Sequence, residues 1–143
     1  MASKLYGNFL LKALNKEVDF DTDTIKVALL TSSYTPDQDA HDYFNDVSSY
    51  EVTGTGYTTG GATLASKTAT YDSANNVVIL DAADTTWSSS TITARYAVVY
   101  DSTGTAGTSA LIGYVDFGSD QSSTNGNFTI TWDSTGIVRI TVA

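Results

Sequence analysis

Asn127-Phe128-Thr129-Ile130-Thr131-Trp132 alternates polar with apolar side chains, and after Asp133-Ser134-Thr135-Gly136 comes a second β-rich run, Ile137-Val138-Arg139-Ile140-Thr141-Val142. A period of two places Phe128, Ile130 and Trp132 on one face of a strand and Asn127, Thr129 and Thr131 on the other, one buried and one wet. The intervening Asp-Ser-Thr-Gly predicts a four-residue hairpin with Gly136 in the left-handed position. Working outward, further strands are predicted at about 62–71, 76–80, 93–100 and 111–117, with Ser/Thr-rich turns at 101–109 and 118–125. Thr24-Ile25-Lys26-Val27-Ala28-Leu29-Leu30-Thr31 is apolar on both faces, which predicts a strand interior to a sheet. Short strands at this spacing give a mainly β fold, a β-sandwich or a closed β-barrel. Composition agrees: Ser and Thr make up 39 of 143 residues beside nine Tyr, residues that suit a pleated, half-exposed surface.

Two helices complete the expected architecture. Over residues 3–16, Tyr6, Phe9, Leu10, Ala13 and Leu14 share one face at about 100° per residue, while Lys4, Asn8, Lys12, Asn15 and Lys16 share the other. Thr35-Pro36-Asp37 is a helix-start signal, predicting a short helix over about 36–46. Residues 48–61, rich in Gly and Thr without helical period, predict a long loop or arm. Length, with no internal repeat or linker, makes 1–143 one domain.

Charge narrows the function. The chain carries −9, but residues 1–16 hold Lys4, Lys12 and Lys16 with no acid, +3 against −12 on the rest. Such acidity disfavours nucleic acid, whose phosphates demand clustered Lys and Arg. No apolar run is long enough to span a bilayer and no signal segment is readable, so no membrane partner is expected. There is no cysteine to build a disulfide or a thiolate metal cluster.

Chemical constellations fare poorly beside simpler readings. Asp19-x-Asp21-x-Asp23 has the opening spacing of a calcium loop, but Thr24 and Leu30 stand where that loop needs Gly and Glu, which favours a solvated acidic turn. Asp37, Asp39, Asp42 and Asp46 read as a solvated helix face. His41 is the lone histidine and no nucleophile elbow accompanies it. Gly54-x-Gly56 with Gly60-Gly61 matches no phosphate-binding pattern and reads as an arm. Trp87, Trp132 and the tyrosines could floor a sugar-binding platform, although Trp132 alternates with core positions. No catalytic residue, cofactor or metal is therefore assigned, and the expected activity is binding and assembly.

Several stretches carry a resemblance. Lys4 to Leu10, Asp21 to Leu30, Tyr34 to Ala40, Tyr57 to Ala62, Thr93 to Tyr100 and Leu111 to Gly118 resemble small structural proteins encoded among the morphogenesis genes of tailed bacteriophages. The resemblance implies a virion protein made in the host cytoplasm. Within that class the expectation is a capsid decoration, or cement, protein on the shell exterior, bridging major capsid subunits. Its partners would be the major capsid protein and sister copies in a homo-oligomer such as a trimer. A tail, connector or head-fibre component is the alternative, and a glycan-binding module aiding host attachment is the alternative of another class. The candidate assembly interface is Lys4, Tyr6, Phe9, Leu10, Lys12, Lys16, Tyr50 and Tyr57, from the N-terminal segment and the 48–61 loop.

Overall fold

The computed structural model describes residues 2–142. Strands β1 (Ala2–Leu5), β2 (Ile25–Leu30), β3 (Ala62–Thr63), β4 (Thr68–Asp72), β5 (Val77–Asp81), β6 (Thr85–Asp101), β7 (Leu111–Ile130) and β8 (Val138–Thr141) form two antiparallel sheets, with one helix, α1 (Phe9–Leu14). The large sheet runs β1-β7-β6-β2-β3 and the small one β4-β5-β8. The two pack as a sandwich-like pair whose sheets remain separate, so the closed-barrel alternative is set aside.

The large sheet is buried on both faces at its centre. Odd-numbered Val27, Leu29, Ala97 and Val99 meet α1's Phe9 and the small sheet's Leu80 and Val138 in the inner core. Even-numbered Ala28, Leu30, Tyr96, Val98 and Tyr100 face the opposite way, beneath Tyr34, Phe44 and Val47 of the segment that follows β2. Phe44 stacks on Tyr100 at 4.1 Å and 11°. Because β2 lies between β6 and β3 with both faces covered, its continuous apolar run is what an interior strand requires.

Several sequence expectations need correction. Residues 3–16 are not one helix: Ser3, Lys4 and Leu5 pair with Val115, Tyr114 and Gly113 of β7, so α1 begins only at Phe9, after the turn at Gly7-Asn8. The helix over 36–46 does not form. Asp37 closes a single turn by accepting the Asp39 and Ala40 N–H groups on its side chain and that of His41 on its carbonyl. The next backbone groups are then taken up across the fold, Phe44 N–H by Ser109 O and Asp42 O by Leu111 N–H, which leaves only 3-10 turns at Phe44–Asp46 and Ser48–Tyr50.

The polar stretch 118–125 is not a turn either. It continues β7, pairing Gln121, Ser122 and Ser123 with Ala94, Thr93 and Ile92 across a bulged hairpin. Ser90, fully buried, explains how polar residues hold this register: its hydroxyl lies 2.7 Å from Ser123 Oγ and 3.0 Å from the Trp87 and Gly126 carbonyl oxygens. Finally, 133–136 is a tight turn with Gly136 at φ 108°, as expected, but β7 and β8 belong to different sheets, so it connects layers and is not a hairpin. Residues 62–71 likewise divide between sheets at Ser66, whose φ is 53°.

Candidate assembly surface

The N-terminal segment positions six of the residues singled out above and turns half of them, Tyr6, Phe9 and Lys12, inward. Leaving β1, the chain donates the Tyr6 N–H to Ile112 O and buries the Tyr6 ring 5.4 Å from Tyr114. Tyr6 Oη lies 2.8 Å from Tyr34 Oη, which lies 3.0 Å from His41 Nδ1, a polar chain from the core to a half-buried histidine. Burial holds both phenols neutral, raising Tyr6 strongly and pushing Tyr34 up to about 12.

Helix α1 docks Phe9 in the inner core at 2 % exposure. Lys12 lies on the same side. Its Nζ donates to Asp42 O at 2.7 Å, pairs with Asp42 Oδ2 at 3.4 Å and sits 3.3 Å from the centre of the Tyr43 ring. This lysine ties α1 to the segment over the outer core and is unavailable to a partner. Lys4 and Lys16 remain exposed, on β1 and just beyond α1.

The 48–61 segment is packed, which corrects the arm reading. Thr31 N–H donates to Tyr50 O, Val52 N–H to Leu29 O and Thr91 N–H to Thr55 O. A Cβ on Gly54 would overlap Thr91 O, and one on Gly61, where φ is 78°, would overlap Val27 O. These glycines therefore admit close backbone contact. Tyr57 Oη donates to Glu51 Oε1 at 2.5 Å and accepts the Leu29 N–H, while half-buried Tyr50 lies 5.5 Å from Tyr34.

Of the eight candidates, Leu10 is the large apolar side chain left substantially in water. It is joined by Leu11 and Leu14 of α1, Tyr71 of β4 and Val142, all between 45 and 74 % exposed. Leu10 and Val142 line an open groove of about 710 Å³ between α1 and the small sheet, with Phe9 and Ala13 on one wall and Ala69, Val78 and Ile140 on the other. The sequence reading missed this surface because a helix starting at Ser3 assigned Leu14 to the docked face and gave Leu11 no role. A helix of six residues buries only its Phe9 and Lys12 side and leaves three leucines outside.

The acidic loop before β2 turns the Asp19 and Asp23 carboxylates onto its own backbone. Asp19 Oδ1 accepts the Asp21 and Thr22 N–H groups, Asp23 Oδ2 accepts that of Asp19, and Lys67 Nζ donates to the Phe20 and Asp23 carbonyl oxygens. Among the described residues no cluster of three or more His, Asp or Glu could hold a metal ion. Behind this loop Asp101 is 4 % exposed; burial first, and the neighbouring Asp23 second, push its carboxyl up to about 7. No family model, curated protein or solved structure matches the chain.

Proposed function

We propose that the chain is a structural protein of a tailed-phage particle and, within that class, a capsid decoration protein that binds the shell exterior and bridges major capsid subunits. The observation that carries the assembly reading is the leucine face of α1 beside an apolar groove, a contiguous surface of the kind proteins cover in a complex. The sequence resemblance supplies the particle. A domain buried on both sides of its main sheet suits a part that must present one surface many times, where modest energy per copy is multiplied by number. No catalytic group is needed for that role.

Copy number per purified particle tests it. Decoration gives several hundred copies in fixed ratio to the major capsid protein. About six or twelve would assign the chain to a connector or tail ring instead. Absence from the particle would refute both.

A further inference from the structure

Strand β4 is an edge: β5 pairs with it on one side, and on the other its outward N–H and C=O groups have no partner among the described residues. Thr68, Ala69, Thr70 and Tyr71 are all exposed and Asp72 is half-buried. Edges of this kind are normally blunted by a bulge, a proline, an inward-facing charge or shortness. β4 has none of these. Its register with β5 runs unbroken from Thr68↔Asp81 to Asp72↔Val77, and its one charge is at its end. By contrast, β3 is two residues long, β1 carries Lys4 and β8 carries Arg139.

From this we infer that two copies of the chain join edge to edge through antiparallel β4–β4′ pairing about Thr70, giving a continuous six-stranded sheet β8-β5-β4-β4′-β5′-β8′. A two-fold contact needs a self-complementary strand. In this register Thr70 faces its own counterpart, Ala69 faces Tyr71′ twice and Thr68 faces Asp72′ twice, so no like charges stand opposite each other. The two Asp72 side chains lie four strand steps apart, about 13 Å and beyond the screening length at ordinary ionic strength. On a chain of net charge −9, a register that directly opposes no like charges lets an identical strand approach at this edge.

The side chains agree with the backbone. Ala69 and Tyr71 lie on the face of the small sheet that carries Val78, Leu80 and Ile140 and floors the α1 groove. Pairing sets each exposed Tyr71 ring beside the small Ala69′ on that face, extending the apolar floor from one groove into the next. The contact draws on the assembly reading only in making its partner a sister copy.

The test uses the full chain, which has no cysteine of its own. Directly opposed residues of an antiparallel pair lie about 4.5 to 5.5 Å apart at Cα, within disulfide reach. Under mild oxidation, Thr70→Cys is expected to form a disulfide dimer at least about tenfold faster than Ser119→Cys, which is equally exposed on β7. In sedimentation equilibrium the unmodified chain is expected to dimerise, and Thr70→Lys, opposing like charges at the two-fold, to weaken the dimer at least about tenfold with unchanged circular dichroism. A chain that stays monomeric to about 0.5 mM overturns the pairing, as does a Thr70→Lys dimer of undiminished affinity. Binding to capsids is scored separately: a monomeric chain that still binds them overturns the β4 contact and spares the assembly reading, whereas a β4-paired dimer that binds no particle upholds the contact and overturns decoration.

Discussion

Phe9 and Leu10 are adjacent, yet one is 2 % exposed within the inner core and the other 45 % exposed on the groove. Phe9→Ala should therefore lower stability by about 3 to 5 kcal/mol in urea denaturation, through lost burial and the cavity left behind. Leu10→Ala should stay within about 0.5 kcal/mol. Equal effects would mean that α1 is seated differently. Asp101 makes a second residue-scale prediction, with a definite pH window. Its carboxyl is raised to about 7 in the folded chain, by burial first and by Asp23 next, against about 3.9 when unfolded. From pH 4 to 7 the unfolded chain therefore releases this proton more readily than the folded one. Stability from this group is full below pH 4 and declines as pH rises through 7. Asp101→Asn should melt higher than the unaltered chain at pH 7, with the difference shrinking towards pH 4. A variant melting lower at neutral pH would show that the charge is compensated.

Elements whose partners lie nearby in sequence, or whose faces are both apolar, were legible. The alternation of Phe128, Ile130 and Trp132 and the two-faced run of β2 each dictate one way of being buried, and the sheet uses both. What could not be read is decided by distant backbone. Nothing in Ser3-Lys4-Leu5 announces β7 as its partner, and the helix signal at Thr35-Pro36 is overridden by hydrogen bonds to Ser109 and Leu111 more than sixty residues away. Polar 118–125 resembles a turn because its register is held by a buried serine pair and not by apolar alternation. The candidate surface suffered similarly. Helical phase identified the N-terminal segment and Leu10, but helix length decided that Leu11 and Leu14 stay outside while Lys12, counted on the wet face, goes in.

At the scale of the whole molecule the governing feature is charge, −9 overall, with a basic N-terminus diminished by the internal use of Lys12. Only Lys4 and Lys16 of that segment can act on a partner at a distance. An acidic body is repelled by an acidic shell, whereas an exposed lysine pair steers the N-terminal side towards it, and the two effects give salt dependences of opposite sign. On the proposed decoration role, if the lysines lead the approach, attachment to capsids should slow as ionic strength rises, because the screening length falls from about 10 Å at 0.1 M to about 3 Å at 1 M. Lys4→Gln with Lys16→Gln should then attach more slowly at low salt and lose that slope while melting as the unaltered chain does, since both side chains are exposed. Lys12→Gln should instead lower the melting temperature, because it withdraws a buried cation from the Asp42 carbonyl and carboxylate and from the Tyr43 ring. Stopped-flow attachment at two salt concentrations, beside a thermal melt of each variant, separates these roles. A double variant with unaltered rate and slope would show that Lys4 and Lys16 are only solvated, leaving the leucine face of α1 to dock without electrostatic guidance.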